Sequence, residues 1–142
     1  MSRIEKITRA YATRSWRVKT AGSLAIVAGF CSTVGAFQMH LSLGDTLLMR
    51  GFLPMVILAG ILTTLAGLLF TRGMQEAAAL TIWLTMFLGI GGAAWNTYAF
   101  EAHGVYPISI AASMCSALAF ILAPMAWMEI RQIRQRAFCR LL

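Results

Sequence analysis

Two histidines, three cysteines and five carboxylates are nearly all this chain offers for binding a metal or moving a proton. His40 lies close to Gln38 and Asp45, and His103 follows Asn96 and Glu101. Neutral imidazole is a good iron ligand, so His40 and His103 as a pair are the candidate axial ligands for a b-type haem. Both stand at the ends of apolar stretches, whereas a firm haem site would set them on facing helices inside the protein. Met39, Met49 and Met55 could be stretched into a copper site with His40, but methionine as filler between helices is the better account of them. Cys31 and Cys115 fall in the middle of apolar stretches and Cys139 near the C-terminus, a spacing that gives neither a C-x-x-C pair nor a zinc framework. With no Ser-His-Asp set, no phosphate-cradling glycine loop and no paired carboxylates, the chain reads as a non-enzyme with no resident cofactor. Gln38, Asn96 and Glu101 form a candidate polar site. Asn96 is the best placed of the three, and an interhelical hydrogen bond is its simpler role.

The elements that must carry these residues are plain from charge alone. Four blocks, Thr20 to Gly44, Gly51 to Thr71, Ala77 to Phe100 and Ala102 to Met128, contain no Asp, Glu, Lys or Arg. At a rise of about 1.5 Å per residue each is long enough to cross a hydrocarbon layer of roughly 30 Å. Hydrophobic residues make up 59% of 142 and the mean hydropathy is +0.74, which leaves no room for a separate water-soluble domain. The expected spans are 21–43, 52–71, 77–99 and 106–128, flanked by a basic segment at 1–19 and a basic tail at 129–142. The expected fold is an all-α, polytopic transmembrane four-helix bundle with an N-terminal amphipathic interfacial helix. No span carries an ionisable residue at mid-depth, which disfavours proton-coupled transport and voltage sensing.

The net charge of +7 would suit a nucleic-acid binder, but its placement says otherwise. With four spans, every basic residue except Arg50 falls on the side shared by both termini and the middle connection. The positive-inside rule makes that side cytoplasmic. The expected location is a cell inner membrane with the N- and C-termini in the cytoplasm, the basic groups touching anionic lipid and no nucleic acid bound. The first apolar block is too long for a signal-peptide core and reads as a retained helix. Ahead of it, Ser2 and Glu5 have capping-box spacing. Ile4, Ile7, Tyr11 and Val18 share one helical sector opposite the basic residues, the pattern of a helix on a membrane surface. Pro54 and Pro107 are expected in first helical turns and Pro124 within the last helix. Trp16 and Trp127 mark one aromatic belt and Trp95, Tyr98 and Tyr106 the other, with Trp83 packing at depth.

Small residues recur at spacings of three and four on every span. They are Gly22, Ala25, Gly29, Ser32 and Ala36 on the first, then Gly60, Thr64, Gly67 and Thr71 on the second. The third carries Thr81, Thr85, Gly89, Gly92 and Asn96, and the fourth Ser109, Ala112, Ser116, Ala119 and Ala123. Such stripes let helix backbones approach closely, which hydrophobicity cannot drive inside lipid. The functional expectation is a structural or interaction subunit of a membrane complex, whose partners are the lipid bilayer and other membrane proteins or further copies of itself. The alternatives are a small oligomeric transporter or channel for a small or apolar solute, and a haem- or metal-binding module through His40 and His103.

Overall fold

The computed structural model describes residues 3–43, 47–102 and 106–139. Among them the chain forms five α-helices and no strand: α1 (Arg3–Ala12), α2 (Trp16–Leu43), α3 (Leu47–Thr71), α4 (Gln75–Ala102) and α5 (Pro107–Cys139). Helices α2 to α5 are each long and apolar enough to cross a membrane, so the chain is a multi-pass helical membrane protein. Helix α2 packs most extensively on α3 and α5, and α4 on α5. The α3–α4 contact is the smallest of the four neighbouring pairs, and α2 and α4 barely meet. The four therefore stand at the corners of a square, in chain order, with α2 diagonal to α4.

Local chemistry sets the breaks. Thr13 N–H donates to Arg9 O at 3.0 Å and Ser15 N–H to Ala12 O at 3.1 Å, which closes α1. Ser15 Oγ then accepts from Val18 N–H at 3.5 Å, the N-cap position for α2. The expected cap at Ser2 lies outside the described residues. Because a new helix starts after Ser15, the angular register of α1 does not run on to Val18, which is fully buried in the bundle instead of sharing a surface with Ile7 and Tyr11. Helix α3 ends at a left-handed glycine: Gly73 has φ of 74°, its N–H donates to Phe70 O at 2.8 Å, and Met74 N–H reaches Leu69 O at 3.2 Å. That is a Schellman termination, with glycine where any Cβ would be strained.

Two proline expectations divide. Pro107 opens α5, whose first bond runs from Ile110 N–H to Tyr106 O at 3.1 Å. Pro54 is not in a first turn: α3 begins at Leu47, so Pro54 stands inside it, because the apolar run Leu47-Leu48-Met49 extends the helix backwards past Arg50. Pro124 is within α5.

Helix α1 is an amphipathic element packed on protein as well as presented outward. It buries Thr8 and Ala12, its chief helix neighbour is α5, and Ala12 and Arg9 crowd the turn at Gly73. Tyr11 and the neighbouring Trp16 remain more than half exposed. The N-terminal helix, the α3–α4 turn and the C-terminal part of α5 thus meet at one end of the bundle, called here the basic end. Helix α5 has 33 residues, about 50 Å, so it outruns a hydrocarbon layer of roughly 30 Å by several turns. Those turns carry Arg131, Arg134 and Arg136, all exposed. Arg134 donates to Gln75 Oε1 at 3.1 Å. Guanidinium groups cover both indoles here, Arg17 over Trp16 at 5.8 Å and Arg131 over Trp127 at 5.3 Å.

Candidate functional site: a closed small-residue core and an apolar cavity

The stripe on α2 meets the stripe on α3 backbone to backbone. A Cβ placed on Gly29 would overlap the Gly60 carbonyl and lie 2.7 Å from Thr64 N. One on Gly60 would lie 2.8 Å from Gly29 O, and one on Gly67 2.8 Å from Gly22 O. No side chain fits between these helices at the crossing, so glycine is required for the approach itself. Ala25, Ser32 and Ala36 of α2 are buried.

The stripes of α4 and α5 also face each other, less tightly. A Cβ on Gly89 would lie 3.7 Å from Ser116 Cβ and Ala117 N, an ordinary contact. One on Gly92 would overlap only the Ser113 hydroxyl. Ala112 and Ser116 are buried on α5.

Asn96 ties this second pair together. Its Nδ2 donates to Ser113 Oγ at 2.9 Å and to the Ser109 carbonyl at 3.3 Å, while Ser113 Oγ donates to the same carbonyl at 3.0 Å. Four further core hydroxyls turn back on their own helices. Thr63 donates to Ala59 O at 2.6 Å, Thr81 to Ala77 O and Thr85 to Thr81 O at 2.7 Å each, and Ser116 to Ala112 O at 2.8 Å. Each of these four is buried and satisfied within its own helix.

Gln38 is half-buried near the end of α2 and Glu101 is exposed at the end of α4. His40 is half-buried, with its Nδ1 enclosed and without a partner among the described residues. His103 lies outside the described residues, and among those described no group of three His, Cys, Asp or Glu comes together.

Toward the end opposite the basic one, the square of helices does not close completely. A cavity of about 50 Å³ lies between Ala36 and Met39 of α2, Phe52 and Val56 of α3, Phe87 and Trp95 of α4, and Ser109 to Ser113 of α5. Its walls are almost wholly apolar. Trp95, expected at a membrane surface, is 8% exposed and stacks on Phe52 with ring centroids 5.5 Å apart. Trp83, expected to pack, is 67% exposed. Helical phase explains the exchange: Trp95 follows Thr81, Thr85, Leu88 and Gly92 on the inner face, and Trp83 is on the other side. The phase of the inner stripe, more than depth in the membrane, sets which way each indole points.

Compared with known proteins, the chain matches no family model, no curated protein and no solved structure.

Proposed function

We propose that the protein is a structural or interaction subunit of a membrane complex, seated in a cell inner membrane with both termini in the cytoplasm. The observation that supports this most is the core itself, in which every hydroxyl named above is satisfied within its own helix or the adjacent one. Hydroxyls bonded in this way hold helices together and are not free to serve a solute. Below the cavity the space is filled by Thr85, Thr81, Ser116 and Phe70, all fully buried, which favours a scaffold over a transporter or channel. Most of the surface of α3, α4 and α5 is left uncovered by the chain itself, including Trp83, Ile90, Met114 and Ile121, and is free for lipid or for other helices. The basic end adds Arg72 and the exposed arginines of α5 as a platform for anionic lipid or an acidic partner. The orientation rests on the excess of Lys and Arg at this end.

Purification from native membranes in a mild detergent tests the reading. A stable species larger than a dimer, containing other membrane proteins in fixed ratio, is the expected result. A lone monomer or dimer that moves a solute across liposomes would replace it with the transport reading.

A further inference from the structure

At the basic end, the outward side of α5 presents donors to an anion. Arg131, Arg134, Gln135 and Phe138 recur at intervals of three and four, so they share one side of the helix, while Ile130 and Ala137 are buried on another. Helix α1 brings Ile4 to that side and α4 brings Gln75, and together these residues form a groove of about 470 Å³. A volume of a few hundred cubic ångströms is typical of small-molecule sites. Guanidinium groups, side-chain amides and apolar side chains line it, and among the described residues no carboxylate does. Both arginine heads are held by uncharged partners. Arg134 donates to Gln75 Oε1 at 3.1 Å and Arg131 lies over the Trp127 ring at 5.3 Å, so each is positioned and neither is neutralised by that contact. Glu5 and Glu76 border Arg134 from a separate, smaller hollow that they share with Arg9, and Arg131 is not part of it.

Height above the hydrocarbon narrows the class of anion. Helix α5 is free of charged residues from Pro107 to Met128, about 33 Å, which matches a hydrocarbon layer of roughly 30 Å. Arg131 stands about 4.5 Å further along, and the polar headgroup layer is about 5–7 Å deep on each side, so Arg131 lies among headgroups. Arg134 is one turn higher, but its guanidinium reaches Gln75, which precedes by only two residues the charge-free run of α4 that starts at Ala77. Both cations are thus held near the level of lipid phosphates. A guanidinium fork matches the paired oxygens of a phosphate, whereas a zwitterionic headgroup would set its own ammonium against the two arginines. We propose that the groove binds the phosphodiester of an anionic glycerophospholipid such as phosphatidylglycerol, from the leaflet at the basic end. Arg131 and Arg134 hold the phosphate and Gln135 meets the glycerol hydroxyls. This rests on the reading of the basic end as a platform at the membrane surface, and it turns a diffuse attraction into one site.

Native mass spectrometry of the full chain in a non-ionic detergent tests this, with phosphatidylglycerol and phosphatidylcholine added in equal amounts. One phosphatidylglycerol is expected to bind ahead of any other lipid. Arg131→Gln combined with Arg134→Gln should weaken that first binding about thirtyfold, or about fivefold for each arginine facing an anionic lipid. Phe138→Glu, at a side chain already half exposed, places a carboxylate in the groove and should abolish the preference for phosphatidylglycerol. Arg72→Gln combined with Arg136→Gln removes the same charge from exposed positions outside the groove and should leave the first binding unchanged. A size-exclusion profile matching that of the unaltered protein verifies that each variant is folded. Equal losses in the two arginine pairs would overturn the groove and leave the diffuse platform standing. Equal first binding of the two lipids would overturn the groove as a lipid site and leave the arginines to an acidic protein partner. Glycerol 3-phosphate bound as tightly as phosphatidylglycerol would overturn the lipid assignment in favour of a soluble phosphate.

Discussion

Two glycine-to-alanine changes should move stability in opposite directions. At Gly29 the added methyl would overlap the Gly60 carbonyl and sit 2.7 Å from Thr64 N, both of them backbone atoms that no rotamer change can withdraw. Relief requires α3 to retreat by several tenths of an ångström to about 1 Å, and a gap of that size forfeits a quarter to a half of each dispersion contact along the seam. Overpacking of this kind costs roughly 1–3 kcal/mol, against a helix-propensity gain of about 0.5–1 kcal/mol for replacing glycine. The expected net effect of Gly29→Ala is a loss of about 1–2 kcal/mol. At Gly91 the same methyl meets nothing within 4 Å, so only the propensity term remains and Gly91→Ala should be neutral or stabilising by up to about 1 kcal/mol. Unfolding of both variants in mixed micelles with rising dodecyl sulfate, followed by tryptophan fluorescence, measures the difference. Equal midpoints, or a Gly29→Ala protein more stable than Gly91→Ala, would mean that α2 and α3 do not cross at Gly29.

Gly73→Ala should lower stability by about 1–2 kcal/mol in the same titration, because the left-handed conformation at φ of 74° disfavours a Cβ that would also press on Ala12 of α1. Asn96→Ala removes the bonds from α4 to Ser113 and the Ser109 carbonyl and should cost about 0.6–2 kcal/mol. Thr97→Ala, one residue on but exposed and bonded only to Ala93 O of its own helix, should change little. Gly92→Leu should be tolerated better than Gly29→Leu, since its clash is with the Ser113 side chain, which can rotate, and detergent-stable yield after size-exclusion chromatography ranks the two.

The all-α bundle and the apolar runs of its four spanning helices were readable from charge-free blocks and hydropathy, because lipid admits only helices or closed barrels and block length does the rest. The face that each helix turns inward was readable too, from small residues at spacings of three and four. Which face meets which was not. Periodicity gives the direction of a stripe but no partner, so nothing in the sequence says that α2 meets α3 through glycine backbones while α4 meets α5 through serine and asparagine. Helix ends were the weakest part. Ser15 starts α2 and breaks the register that linked Val18 to α1, and Leu47 starts α3 ahead of Pro54, so that proline is interior. The depth of Trp95 suggests the membrane surface, but its phase with Leu88 and Gly92 turns it inward. The cavity beside it depends on how far α3 stands from α4, a distance that composition does not encode.

The central claim is a chain that threads the bilayer four times and returns its ends to one side. Paired reporter fusions measure this most directly, with a protein that fluoresces only in the cytoplasm and a phosphatase active only beyond the membrane. Each is joined in turn after residue 142, ahead of residue 1 and at Asp45 between α2 and α3. Fluorescence without phosphatase activity at both termini, and the reverse at Asp45, is the expected pattern. Termini that report from opposite sides would mean an odd number of crossings, and the four-span bundle would have to be abandoned.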